Sequence, residues 1–332
     1  MPATDIGIDL GSRNSLVYST TQGIMLSEPT VAVYDRNAGK IRAIGEEARQ
    51  MTGRLNTNLE VVRPIRHGVV SDYIVLEKML KYFISKALGR RAFRKPRIAV
   101  CVPAGITEIE CRAIEEATYQ SGARKVYLAK APIAAAIGAG IDILKPFGNM
   151  IVDIGAGTTD AAVVTIGGMA VQNSVRIAGD SFSQAIMRYM REKHSLFIGE
   201  ETAETVKLRI GTAFADREIR VMDVKGRNVV TGLPKVVRLS SEEVRMAMRE
   251  PAGQIVDTIH GVLEKTPPEL AADIVHRGIL LTGGGAQLSG LDRLIEDRLG
   301  VHTMTVHEPV TAAVVGTGKY AEVMAKFDSG RQ

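Results

Sequence analysis

Asp9 and Asp153 each stand at the end of a short apolar run, and each is followed by glycine and small hydroxylic or amide residues. The first segment reads Ile6-Gly7-Ile8-Asp9-Leu10-Gly11-Ser12-Arg13-Asn14-Ser15 and the second Ile151-Val152-Asp153-Ile154-Gly155-Ala156-Gly157-Thr158-Thr159-Asp160. Each has the form of a β-hairpin. Glycines let the backbone approach an anion with successive N–H groups aimed at it, and an Asp at the strand end can hold a divalent cation through water. Two such hairpins facing each other would clamp the phosphates of a nucleotide. One Gly-rich hairpin alone is only a turn. A third glycine turn, Leu280-Leu281-Thr282-Gly283-Gly284-Gly285-Ala286, also follows an apolar strand and precedes an expected helix, so the three together point to a nucleotide site.

Elements that would position these turns can be read from periodicity. Residues 5–33 read as strands broken by turns at Gly11-Ser12 and Gln22-Gly23, with Pro29 marking an edge or kink. Apolar residues at helical spacing predict a helix from Asp72 to Leu88, followed by a buried strand from Ile98 to Val102. Thr107 and Glu110 form a capping box for a helix to about Gln120, ahead of a strand from Lys125 to Leu128 and a small-residue helix from Ala131 to Ala139. After Asp153 the pattern restarts. Strands are expected at 160–166 and 169–177, helices from Ser181 to His194 and Glu201 to Ile210, and a smaller sheet near 218–224 and 235–239. Ser240 and Glu243 open a helix that Pro251 is expected to interrupt; strand 278–282, helix 290–299, strand 303–306 and helix 310–325 complete the chain. Strand and helix alternation of this kind is an α/β design.

A chain of 332 residues suggests two domains or one pseudo-duplicated domain, and 45% hydrophobic with 24% charged residues excludes disorder throughout. The net charge of +5 is too modest to indicate a nucleic-acid partner, and none is expected. Cys101 and Cys111 are the only cysteines and read as reduced structural residues, and the six histidines are scattered without ligand spacing, so no zinc site is proposed. A strand beginning almost at the N-terminus leaves no room for a signal peptide, and no run approaches the ~20 apolar residues of a spanning helix. The expected location is the cytoplasm.

On these segments, and on Arg63-Pro64-Ile65-Arg66-His67-Gly68-Val69-Val70, Glu77-Lys78-Met79-Leu80, Cys101-Val102-Pro103, Ala134-Ala135-Ala136-Ile137-Gly138-Ala139-Gly140, Thr231-Gly232-Leu233-Pro234-Lys235 and Pro267-Pro268-Glu269-Leu270-Ala271, the chain resembles the MreB family of bacterial actins over nearly its whole length. The resemblance implies the actin-like fold that chaperone and sugar-kinase ATPases share, with two lobes around a nucleotide cleft. Lobe I would take residues 1–142, with a small subdomain at about 33–70, plus a C-terminal helix at about 309–327; lobe II would take 143–308, with a small subdomain at about 181–240. It further implies ATP bound with Mg²⁺, self-assembly into filaments beneath the membrane, and control of rod shape through wall-synthesis and cell-shape membrane proteins.

By position, the resemblance places Gly11, Ser12, Arg13 and Asn14 at the first phosphate loop and Gly155, Ala156, Gly157 and Thr158 at the second. Asp9 and Asp153 would hold the metal through water, and Thr158 and Asp160 would join them in the catalytic region. Glu204 and Lys207, at i and i+3 on one helical face, would contact the nucleoside, while Gly283, Gly284, Gly285 and Ala286 would pass under the adenosine and α-phosphate. Two departures stand out. Where the family reads Glu-Glu-Pro, with an acid thought to orient the attacking water, this chain reads Ala129-Lys130-Ala131-Pro132. Ala131 has no polar group and Lys130, at the usual acid position, is an ammonium without a lone pair, so the expectation is an ATP-binding protein that hydrolyses slowly or not at all. Asp160 also replaces the family's usual Glu, shortening the side chain but keeping the carboxylate.

Leu88-Gly89-Arg90-Arg91-Ala92-Phe93-Arg94-Lys95-Pro96 sets an apolar residue at the tip of a basic loop. Phe93 could insert at the acyl boundary while Arg90, Arg91 and Arg94 meet anionic headgroups at ~1 kcal/mol each, and a filament would multiply that weak contact. The solvated alternative folds Phe93 back onto the core. Relatives use a hydrophobic loop here, which favours an anionic membrane surface as a partner and a peripheral position at the inner face of the cell membrane. Three other readings stay open. A chaperone-type ATPase domain would be expected to continue into a substrate-binding domain, a sugar kinase would need a base aimed at a substrate hydroxyl, and a filament-modulating paralogue would tolerate lost turnover.

Overall fold

The computed structural model describes residues 5–89, 95–215 and 218–329. The chain opens with an antiparallel meander of β1 (Ile6–Leu10), β2 (Asn14–Ser19) and β3 (Gly23–Pro29). Next come β4 (Ala32–Asp35), β5 (Lys40–Ile44), helix α1 (Glu46–Met51) and β6 (Leu59–Val62), in which the strands form a small sheet ordered β5-β4-β6, and then the hairpin of β7 (Ile65–Arg66) and β8 (Val69–Val70). Helix α2 (Tyr73–Leu88), β9 (Arg97–Val102), α3 (Glu108–Gln120) and β10 (Lys125–Lys130) follow. β9 and β10 add in parallel beside β1, giving the order β10-β9-β1-β2-β3 with β3, which ends at Pro29, on an edge.

After α4 (Ala131–Gly138) the plan repeats with the meander of β11 (Asn149–Ile154), β12 (Thr159–Thr165) and β13 (Gly168–Val175). Helix α5 (Gly179–His194), β14 (Leu196–Phe197), α6 (Glu200–Ile210), β15 (Val221–Asn228), β16 (Pro234–Ser240), α7 (Ser241–Glu264) and α8 (Pro268–Arg277) intervene before β17 (Ile279–Thr282). A 3₁₀ turn at Gly284–Gln287, α9 (Leu291–Leu299), β18 (Thr303–Thr305) and α10 (Pro309–Ser329) end the described chain. β17 and β18 add in parallel beside β11, so the second sheet runs β18-β17-β11-β12-β13, strand for strand the order of the first. β14, β15 and β16 make a smaller sheet.

Local chemistry accounts for these elements. Asp72 caps α2 by accepting from the Val75 N–H, and Val75, Leu76, Met79, Leu80, Phe83 and Ile84 give that helix one buried stripe under the first sheet. Both expected capping boxes form, Thr107 with Glu110 on α3 and Ser240 with Glu243 on α7. The interruption expected at Pro251 does not occur, and α7 runs unbroken through it to Glu264. Proline removes one backbone donor, and burial of Met248, Pro251, Ala252 and Ile255 against the second core outweighs that loss. α8 falls on a segment whose Pro-Pro start marks a family pattern and also supplies a proline at the first helical turn.

α10 returns from the second sheet to pack on α4, β1 and β9. Its approach depends on glycine. A Cβ on Gly316 would lie 1.7 Å from the Ala134 carbonyl oxygen, one on Gly138 1.8 Å from that of Ala312, and one on Gly7 2.3 Å from the Gly318 nitrogen. Gly316→Ala should therefore force the helices apart and lower the unfolding free energy by ~3 kcal/mol, seen as a reduced urea midpoint.

Candidate functional site

The two glycine hairpins meet. The β1–β2 turn carries Gly11, Ser12 and Arg13, and the β11–β12 turn is closed by the Gly155 N–H donating to the Thr158 carbonyl at 2.9 Å. A Cβ on Gly157 would come within 2.4 Å of Ser12 Oγ and 2.8 Å of His67 Cα, so this glycine lets the second loop touch the first. The turn between β7 and β8 closes over both, with the Gly68 N–H donating to Ser12 Oγ at 3.3 Å. The third glycine turn is pressed onto β11: Gly283 holds φ 82°, and a Cβ there would sit 2.3 Å from the Ile154 oxygen.

Between them lies a cavity of about 350 Å³. Its lining brings together Asp9, Gly11, Ser12, Arg13 and Asn14 from the first hairpin with Asp153, Gly155, Ala156, Gly157, Thr158 and Asp160 from the second. Glu204 and Lys207 from α6 and Gly283, Gly284 and Gly285 complete the expected set. Of the residues expected to touch the nucleotide, Ala286 does not line it, being packed into the second core, and Gln287, Leu288 and Ser289 reach the cavity instead.

Three carboxylates share the cavity floor. Asp9 pairs across the sheet with Cys101 and Asp153 with Thr282, whose hydroxyl donates to Asp153 Oδ1 at 2.8 Å. Burial pushes Asp9 up to about 6. Burial, with the nearby charges of Asp9 and Asp160, pushes Asp153 up to about 7. Asp160 is almost fully buried, which raises it too, although the Ser174 hydroxyl, the Ala104 N–H at 2.7 Å and the Lys130 charge work the other way. Desolvated carboxylates crowded on one cavity suit a divalent cation. Among the described residues no group of three or more acidic, His or Cys side chains is placed to hold a metal ion directly.

An ionic network spans the mouth. Arg13 Nη1 lies 2.5 Å from Glu204 Oε2 and 3.4 Å from Asp180 Oδ1, tying the first hairpin to α5 and α6. Glu204 also takes Lys207 Nζ at 2.7 Å and the Ser183 hydroxyl at 2.8 Å, and Lys207 donates to the Gly179 carbonyl at 2.9 Å. Burial raises Glu204, but Lys207 and then Arg13 overcome it and leave the carboxyl below its usual value; Lys207 is lowered, chiefly by burial. Glu204→Ala would leave Arg13 and Lys207 facing each other, and the unfolding free energy should fall by ~2 kcal/mol in thermal melts at low salt. Asp180 and Ser183 escape sequence reading because only the docking of α5 against α6 and the first hairpin brings Ser183 to Glu204 and Asp180 to Arg13.

Lys130 and Ala131 part company. Ala131 lines the cavity, whereas the Lys130 ammonium points to the Ala104 carbonyl at 3.4 Å, beside Asp160, and does not line it. Arg90, Arg91, Phe93 and Arg94 lie outside the described residues. No helix among the described residues is long and apolar enough to cross a membrane.

A family model described as MreB/Mbl protein matches residues 3–329. The chain is 47% identical to the cell shape-determining protein Mbl of Bacillus cereus over 318 residues, covering 96% of each, and 44% identical to the cell shape-determining protein MreB of Escherichia coli, covering 98% of this chain and 95% of that one. The solved structure of MreB 5 of Spiroplasma citri bound to AMPPNP superposes with a TM-score of 0.94 at 32% identity, over the full length of both chains.

Proposed function

Because the chain belongs to the MreB/Mbl family, we propose that it is an ATP-binding actin-like protein that polymerises into membrane-associated filaments and helps to set rod shape by organising wall synthesis. The observation that carries the nucleotide reading is the contact of two near-repeat Asp-Gly hairpins across one cavity, with Gly157 against Ser12. A relative of the same fold bound the ATP analogue AMPPNP. Backbone N–H groups of Gly11–Arg13 and Gly155–Thr158 would grip the phosphates, and Glu204 and Lys207 would take the nucleoside. Asp9 and Asp153 would hold Mg²⁺ through water; when bound, the ion neutralises phosphate charge.

The two sheets of like order suit two lobes, residues 1–142 with 309–327 and residues 143–308, closing on the ligand. The ion pairs of Arg13 with Glu204 and Asp180 bridge those lobes, so occupancy would bear on their closure and, through it, on self-assembly. Hydrolysis would be slow, since Ala131 offers the attacking water no acceptor. That favours a filament-modulating role for this chain beside a faster-cycling relative. Membrane attachment would rest on Phe93 among Arg90, Arg91 and Arg94.

Titration calorimetry with ATP and Mg²⁺ tests the core of the reading, and absence of binding would overturn it. Electron microscopy with ATP, with ADP and without nucleotide, over anionic lipid, should show filaments on the lipid. Phe93→Ser should release the protein from liposomes in co-sedimentation, and unchanged binding would remove that loop from the account.

A further inference from the structure

Arg220 lines the same cavity, with its guanidinium at the C-terminal end of α6. We propose that its guanidinium is the stacking wall for the nucleobase, an inference that rests on the nucleotide reading. The side chain is held by the end of α6. Nη1 donates to the Arg209 carbonyl at 3.2 Å and Nη2 to the Gly211 carbonyl at 3.3 Å, where the helix terminus carries partial negative charge. Its backbone N–H donates to Ser241 Oγ at 3.1 Å, fixing the other end of the residue. Guanidinium donors lie in one plane, so a guanidinium hydrogen-bonded in that plane keeps the planar shape that stacks well on an aromatic ring.

Position along α6 gives the same assignment. Lys207 reaches the Gly179 carbonyl, and the Gly179 N–H in turn donates to Gly155 of the second phosphate loop. One helical turn beyond Lys207, an advance of ~6 Å, comes Gly211. A sugar at Glu204 and Lys207 would thus place its base beside Arg220. Ser289 is tied to the same spot, its carbonyl accepting from the Ala213 N–H at 2.7 Å and the Thr212 hydroxyl at 3.3 Å. Gln287 and Ser289 add polar groups to the lining that could meet the edge of a ring.

Calorimetry on the full chain separates base from phosphate when ATP is compared with inorganic tripolyphosphate, both with Mg²⁺. Arg220→Ala should weaken ATP by about tenfold and leave tripolyphosphate unchanged. Arg220→Lys, which keeps the charge but lacks the planar faces, should behave alike and guards against a folding defect in the alanine variant. Unchanged ATP affinity in both variants overturns the inference while sparing the nucleotide reading. Equal weakening of both ligands also overturns it, since that marks a general structural role. A wild-type chain that binds neither ligand removes both readings together.

Discussion

Asp153→Asn should make the nucleotide-free protein more stable and at the same time abolish its stabilisation by ATP and Mg²⁺. The carboxyl is raised from 3.8 to about 7 by burial and by Asp9 and Asp160. Because the folded-state value lies above the unfolded one, the stability linked to this group is fully present below 3.8 and is lost as pH rises through about 7. Without divalent cation, the wild-type protein should therefore gain stability as pH falls from 8 towards 5. The asparagine variant removes the charge that folding must desolvate, and at pH 8 it should be ~2 kcal/mol more stable, at 1.36 kcal/mol per pH unit with allowance for the weaker hydrogen bond that a neutral acceptor takes from Thr282 and for the bulk of the amide group. Adding ATP and Mg²⁺ should reverse the order, because the anion that would hold the hydrated metal is gone; affinity should fall by at least ~100-fold. Melts at pH 8 and pH 5.5, with and without the ligand pair, give the four values needed. A variant no more stable than wild type when free of ligand would show that the carboxylate is not strained by its surroundings.

Such opposition between fold and site is why much of this site is legible in sequence. An Asp at a strand end followed by glycines makes poor core and poor strand, so its appearance twice in apolar runs demands a ligand, and the structure sets both hairpins on one cavity. Capping boxes at Thr107 and Ser240 are equally local and form as expected. What escapes is whatever depends on docking. Pro251 breaks a helix by propensity, and only the apolar face of α7 against the second core keeps it intact. Asp180, Ser183 and Arg220 sit in ordinary contexts, yet the packing of α5, α6 and the loop before β15 brings them to the cavity or its mouth. Lys130 and Ala131 are adjacent in sequence and look alike as replacements for an acid; the register of β10 with β9 and the start of α4 send only Ala131 to the cavity.

Ala131→Glu should consequently raise ATP turnover where Lys130→Glu does not. Ala131 is the first residue of α4, directly after the strand end, so a carboxylate there would project from the cavity wall at a helix N-terminus that favours negative charge. A positioned base is worth a factor of about 10²–10⁴, and phosphate release in single-turnover assays should rise by about 100-fold with little change in ATP affinity. Some folding stability should be lost, ~1 kcal/mol, because Ala131 also packs against Cys101, Ala134 and Ala313. The Lys130 position differs in kind. Its side chain runs to the Ala104 carbonyl beside Asp160, so an acid placed there would add like charge next to a carboxylate already raised by burial. Lys130→Glu should therefore lower stability without raising turnover. If Ala131→Glu still binds ATP and Mg²⁺ yet releases phosphate no faster than the wild type, an acid at this position does not limit turnover, and the placement of the attacking water beside Ala131 is wrong.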